Sequence, residues 1–392
     1  MNRFDCVLVG GGLQNALTAL ALSRHQPGSR VALIERGARL GGNHTWCFHA
    51  GDVSEAALPF VEPLVIRRWP GYDVMFPSYE RELDEAYAAV SSSQLHDVVS
   101  RLPASMPGFT LFFEEEATSV QATRVRLASG RVLEAPLVVD ARGPDGFSPK
   151  AGVAYQKFVG LELSVEAGTA PARPVLMDAR VPQVDGFRFF YVLSLSSDRV
   201  LVEDTYYSDS PALDRGALRQ EILAYACRIG LRVRGIERQE SGVLPLPKQP
   251  FSAGSDAAGI ITAGYRGGWF HPTTGYSFPL AVRFAQALAQ GDLGAARERI
   301  ARVWGAQRAQ QRFCTHLNWM LFELFEPGDR FRVLEKFYRL PAPSIRRFYA
   351  LESTRADRLR LLCGRPPQGL NVGRLVARGG DVRPPALSGG NG

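Results

Sequence analysis

The sequence predicts an α/β protein in which a discontinuous, dinucleotide-binding parallel sheet is followed by a β-rich region and then by C-terminal helices. Three observations carry this expectation. Phe4 to Arg36 reads as strand, glycine turn, helix and a second strand ending in an acid. Two later apolar runs, before Asp140 and at Gly259 to Ala263, read as strands returning to the same sheet. Beyond Gly294 the apolar residues fall at helical spacing.

The elements follow in order. Cys6 to Val9 is a short apolar run, as a buried parallel strand requires, and it breaks at Gly10, Gly11 and Gly12. Leu13, Leu17, Leu20 and Ala21 then recur on one helical face, Pro27 and Gly28 end the helix, and Val31 to Ile34 gives the next strand. In such a unit Gly10 and Gly12 let the backbone approach a pyrophosphate where the helix opens at Leu13, and Glu35 takes the ribose hydroxyls. Asn15 stands where a third glycine is usual, so a side chain has to fit between helix and strand. The loop after Glu35 carries Gly41 and Gly42, then Asn43, His44, Trp46 and His49, which are placed to reach a ring system.

Ser93 to Leu102 has the spacing of a helix, and Phe109 to Asp140 that of short strands with a hairpin turn at Ser129 and Gly130. Leu137 to Val139 ends in Asp140, which presents another loop to the cofactor; late returns of this kind are frequent when the dinucleotide is a flavin. Residues 151–247 are mostly strand, with a clear hairpin turning at Ser196, Ser197 and Asp198. After Gly264 a glycine loop through Thr274 and Gly275 leads into a helix from about Ser277, a second nucleotide-facing turn. Phe331, Leu334, Phe337 and Tyr338 are interleaved with Arg330, Arg332, Lys336 and Arg339, a pattern that suits either a helical cap or a basic, membrane-facing surface.

Composition sets limits. The 392 residues are 45% hydrophobic and 22% charged, typical of a globular chain with a sizeable core. A net charge of +7 permits an anionic partner, but the basic residues are dispersed and no nucleic-acid signature appears. The five cysteines are odd in number and far apart, which suits neither a disulfide framework nor a metal site. No signal-peptide pattern opens the sequence, and no segment reaches the ~20 apolar residues of a membrane span. Contact with a membrane is therefore expected to be peripheral, from the cytoplasmic side.

One acid stands out. In Val200 to Tyr206 the strand alternation places Leu201, Glu203 and Thr205 on one face and Val202, Asp204 and Tyr206 on the other, so one carboxyl looks inward. In an apolar pocket it would keep its proton and suit general acid catalysis; an acidic pair at a strand end is equally read as a solvated feature.

GGGLQNALTALAL, GGNHTWCFH, VLVEDTYY and GWFHPTTGYSFPLAV, in that order, resemble the bacterial lycopene beta-cyclases, flavoproteins that close the rings of beta-carotene. The likeness runs to about Gly364. It implies a fold similar to that of the aromatic-ring hydroxylases, with residues 1–60, 93–150 and 250–293 as a discontinuous Rossmann-like FAD domain. Residues 61–92 and 151–249 would form the substrate domain and 294–365 a helical region; 366–392, which the likeness does not reach, are expected to be a disordered tail from the glycine, proline and arginine of Arg374 to Gly392. It implies reduced FAD with NAD(P)H as electron source, and lycopene and gamma-carotene as substrates of an isomerisation without net redox change. It assigns catalysis to Glu203 and FAD contacts to Gly10, Gly12, Leu13, Asn15, Glu35, Gly41, Gly42, Asp140, Gly264, Thr274 and Gly275. Tyr265 follows Gly264 where the wider class usually has an acid, so a carboxylate for the ribityl chain is missing there. Either Glu203 or the flavin delivers the proton, and a redox flavoenzyme of the same fold (a hydroxylase or prenyl-chain reductase) or a membrane-bound flavin-binding regulator are the rival readings.

Overall fold

The computed structural model describes residues 2–143, 152–250, 259–363 and 367–371. Two sheets organise them. The first is parallel, with five strands in the order Ile261–Thr262, Leu137–Asp140, Cys6–Val9, Val31–Ile34 and Phe109–Phe112. Its central strands are buried on both faces, which is why they read as unbroken apolar runs rather than alternations. Helix Leu13–His25 follows the glycine turn and packs against helix Phe278–Ala289, so the two turns from strand into helix lie side by side.

The second sheet has seven strands in the order Val233–Pro247, Val153–Val165, Arg199–Ser208, Phe187–Ser194, Val175–Asp178, Tyr72–Phe76 and Tyr79–Leu83. One face meets helix Arg215–Arg228 over a separate core that includes Val159, Leu161, Val200, Val202 and Ile222. The other face turns towards the parallel sheet and carries the main core. A three-stranded sheet, Thr45–His49, Tyr87–Ser91 and Val65–Trp69, lies beside it. Residues 61–92 thus serve two sheets, because the strands at 72–83 pair with the large one and those flanking them do not.

The C-terminal region is helical, with Ala296–Leu324, Phe331–Tyr338, Ala342–Tyr349 and Arg355–Leu362. The expected stripe turns inward at Phe337 and Tyr338, which are buried. Arg330 departs from the basic-surface reading: it is 2% exposed, donates to Asp209 at 2.7 Å and to the Phe322 carbonyl at 3.3 Å, and lies over the Phe322 ring. Of the tail expected to be disordered, all but residues 367–371 lies outside the described residues.

Candidate functional site

At the first glycine turn each glycine answers a different need. Gly10 has φ +93°, and a Cβ there would lie 3.0 Å from the Ala141 carbonyl oxygen. A Cβ on Gly11 would lie 2.4 Å from Leu40 Cδ2. Gly12 is in ordinary extended backbone at φ −74°, so the turn itself does not require glycine there. Nothing lies within 4 Å of a Cβ built on Gly12; open space therefore fronts the N-terminus of helix Leu13–His25, which no side chain caps.

Asn15, fully buried, explains how the third glycine usual in such a turn is dispensed with. Its Nδ2 donates to the carbonyls of Val9 at 3.0 Å and Gly10 at 2.9 Å, tying the helix to the end of the strand. Glu35 accepts from Gly11 N–H and Gly37 N–H, both at 2.8 Å, and so locks the second strand to the same turn. Gly41 donates its N–H to the Gly11 carbonyl at 2.8 Å, and both Gly41 and Gly42 have positive φ. Asp140 stands at the end of the neighbouring strand, where Arg142 takes both carboxylate oxygens at 2.9 and 2.7 Å and Arg266 approaches at 3.4 Å. These arginines hold its carboxyl below the usual range against the opposing effect of burial.

The loop from Gly41 crosses to the large sheet. Asn43 donates to the Gln239 carbonyl at 2.6 Å and accepts from Arg238 at 2.9 Å; Thr45 donates to Glu240 at 3.1 Å and accepts from Arg238 at 2.6 Å. His44, Trp46 and His49 then line a cavity of about 210 Å³, roomy enough for far more than one water. Thr274 and Gly275 line that cavity too, which brings the second glycine loop and Glu203 into one space. Gly10, Gly12, Leu13, Asn15, Glu35, Gly41, Gly42, Asp140 and Gly264 are not on its walls; they stay with the parallel sheet and its turns.

Glu203 has the expected orientation. Leu201, Glu203 and Tyr207 face the cavity, while Val200 and Val202 enter the opposite core. Asp204, fully buried on that opposite side, accepts two bonds from Arg188 at 2.9 and 2.7 Å and one from Tyr206 at 3.1 Å. The surface that Glu203 retains belongs to the cavity and not to bulk solvent. Loss of hydration there, reinforced by the charge of Glu240, pushes its carboxyl up to about 8, although Thr205 donates to it at 2.7 Å. Burial thus favours its protonated form.

Around it stand Phe158, Tyr87, Tyr191, Tyr276, Tyr338 and Tyr349, the last two joined through their hydroxyls at 2.7 Å. Aromatic faces of this kind attract positive charge. The sequence reading missed Glu240, which is 3% exposed and on the cavity wall. Alternation alone would have put Arg238, Glu240, Gly242 and Leu244 on one face, but which face, and opposite what, is a matter of register.

A profile described as "Lycopene cyclase protein" matches residues 5–375. A lycopene beta-cyclase of Pantoea ananas is 39% identical over 372 residues, covering 93% of this chain and 95% of that one. Another, from a Paracoccus species, is 38% identical over 370 residues, covering 93% and 94%. Among solved structures, a geranylgeranyl bacteriochlorophyll reductase-like protein of Thermoplasma acidophilum superposes with a TM-score of 0.64 at 12% identity, covering 96% of this chain and 99% of that one. PqsL of Pseudomonas aeruginosa, described as a probable FAD-dependent monooxygenase, gives 0.58 at 18% identity and 84% and 98% coverage. The mixed α/β fold is thus of the kind seen in FAD-dependent monooxygenases.

Proposed function

Because the chain belongs to the lycopene cyclase family and is an enzyme of the isomerase type, we propose that it closes the linear ends of lycopene, through gamma-carotene, into the rings of beta-carotene, with Glu203 as the acid. The observation that carries this reading is one inward carboxyl, its proton favoured by burial, on an aromatic cavity shared with the Thr274–Gly275 loop. Glu203 gives its proton to the terminal double bond and a tertiary cation results; the neighbouring double bond attacks it, and the Glu203 carboxylate takes back a ring proton, which restores the acid. One proton enters and one departs, so no electrons are exchanged. Leu193, Leu201 and Phe158 keep water from the cation, and the tyrosine faces stabilise it electrostatically.

The first glycine turn fits a bound dinucleotide, since the open space before Gly12 meets an uncapped helix N-terminus. Gly10, Gly12, Leu13, Asn15 and Glu35 would hold the adenylate and pyrophosphate of FAD, and Gly41, Gly42, Asp140, Gly264, Thr274 and Gly275 its flavin half. Reduced FAD, replenished by NAD(P)H, supplies an electron-rich ring that favours a nearby cation. Residues 1–60, 93–150 and 250–293 would form the part that binds it, and the seven-stranded sheet the substrate side.

Among the described residues no helix is long and apolar enough to cross a membrane. Exposed Leu359 and Leu362 lie near Lys336, whose Nζ reaches the Cys363 carbonyl at 3.4 Å, and this edge suits peripheral contact with the cytoplasmic face, from which an apolar substrate would enter.

Expression in a lycopene-accumulating host, with pigments separated by chromatography, tests the reading. The parental chain is expected to give cyclic carotenes and Glu203→Gln none, with FAD retained by both. Cyclic product from Glu203→Gln at near the parental rate would refute the role of Glu203, and NADPH consumed in proportion to product would point to a reductase instead.

A further inference from the structure

Glu203 and Glu240 lie on different strands, 37 residues apart, yet both are register partners of one residue. Gly160, on the strand between them, pairs with Glu203 on one side and with Glu240 on the other. Register partners share a face of the sheet, so both carboxyl groups rise from the same face with a bare backbone between them. A Cβ at position 160 would lie 2.9 Å from Glu240 Cγ, 3.3 Å from Glu240 Oε1 and 3.3 Å from Leu201 Cδ1. Any larger residue would crowd Glu240 out of its place beside Leu201.

The charges around this gap are shared unevenly: burial raises the Glu240 carboxyl, and Arg238 and Thr45 oppose that by stabilising its ionised form. Arg238 donates to Glu240 at 2.6 Å and to Glu162 at 3.0 Å, and Arg199 pairs with Glu162 from the other side. Two cations thus meet two carboxylates, and among the described residues none pairs with Glu203. Arg238 is also felt at Glu203 and favours its ionised form, but less than Glu240 opposes it. The other groups near Glu203 add no positive charge: Thr205 beside it and Asp204 behind it on its own strand, Tyr191 on the next, Cys47 on the Thr45–His49 strand and Tyr349 from the C-terminal helices. His44, at the rim, is held neutral by burial and by Arg238.

We propose that Glu240, clamped by Arg238 and Thr45 and facing Glu203 across Gly160, is the positioning carboxylate of this site: its negative charge keeps the reacting proton on Glu203. The inference rests on Glu203 being the acid. Glu240 does not need to touch the substrate; it sets the protonation state of the residue that does. Gly160 is what brings the pair together, and the Asn43–Thr45 segment holds Glu240 from above.

The test is a titration of Glu203 itself. Protein labelled with ¹³C at the glutamate carboxyls is compared with Glu203→Gln to identify the resonance, and its midpoint is followed in Glu240→Gln, Glu240→Asp and Gly160→Ala. Glu240→Gln should lower the midpoint by about one to two pH units, and the alkaline limb of cyclisation should fall with it; Glu240→Asp, which restores the charge, should recover most of both. Gly160→Ala, whose methyl would lie 2.9 Å from Glu240 Cγ and so displaces Glu240 from its place, should move the midpoint in the same direction, and serves if Glu240→Gln does not fold. A midpoint unchanged by Glu240→Gln, or by Gly160→Ala where only that variant folds, overturns the inference. If the midpoint falls while the alkaline limb stays, Glu203 is not the acid, and the reading on which the inference rests fails instead.

Discussion

Replacing Glu203 by glutamine should make the protein more resistant to unfolding in mild alkali, a consequence that needs neither substrate nor cofactor. The cavity raises the Glu203 carboxyl from an ordinary 4.5 to about 8. Between those values the folded chain holds a proton that the unfolded chain has released, so stability falls as pH rises through the window and is fully present only below it. Each pH unit is worth about 1.4 kcal/mol. The span from 4.5 to about 8 therefore costs the parental protein at most about 5 kcal/mol, reached near the upper end and constant beyond it. Glutamine never ionises and escapes this cost. Urea unfolding, read by tryptophan fluorescence from about pH 5 to about pH 9, should show the advantage of Glu203→Gln growing with pH and then levelling. An advantage that stays flat across the window would mean that Glu203 ionises like a surface carboxylate, and the argument for a proton held by burial would collapse.

The neighbouring acid should behave differently. Asp204→Asn leaves buried Arg188 with only the exposed Glu221 as a charged partner and should cost about 3–5 kcal/mol of stability, while cyclisation per folded molecule is retained; melting curves beside pigment assays check both, and lost activity in a fully stable protein would transfer the chemistry to Asp204. Gly12→Val should fold normally, because its backbone is extended and nothing lies within 4 Å of the new Cβ. It should nonetheless be purified without flavin, and a yellow protein of normal stoichiometry would refute the placement of the pyrophosphate. Charge reversal at Arg332, Lys336 and Arg339 should weaken sedimentation with anionic vesicles in a salt-dependent way. Most of the effect should come from Lys336, since Arg332 and Arg339 already pair with Asp329 and Glu335. Sedimentation that does not change would leave these helices a purely structural cap.

What the sequence made legible was local. The strand, glycine turn and helix at Cys6 to His25 follow from periodicity and turn chemistry within thirty-odd residues, and the inward face of Glu203 follows from the two-residue repeat of its own strand. In sequence Gly12 is one glycine among three; the fold separates it from Gly10 and Gly11, whose neighbours at Ala141 and Leu40 come from elsewhere in the chain. Glu240 stayed hidden because its meaning depends on pairing with a strand some eighty residues earlier. Arg330 shows the same limit from the other side. A basic residue in an amphipathic stripe reads as surface, and nothing nearby announces that Asp209 will take it into the core.

The hydroxyl link between Tyr338 and Tyr349 bears on the order in which the enzyme can be made. The glycine turn, the Thr45–His49 strand and the Glu203 strand are all synthesised before the residues that bring these two tyrosines to the cavity. As domains emerge from the ribosome N-terminus first, an acid-bearing pocket would exist for a time with its last wall missing and its carboxyl open to water. In that interval Glu203 loses the dehydration that keeps it protonated, so a nascent or C-terminally truncated chain should be unable to protonate an alkene even if it has already captured its nucleotide. The C-terminal helices thus act as the arming step of the catalyst, and a chain shortened before Tyr349, which also loses the buried Ala350 and Leu351, should do no chemistry.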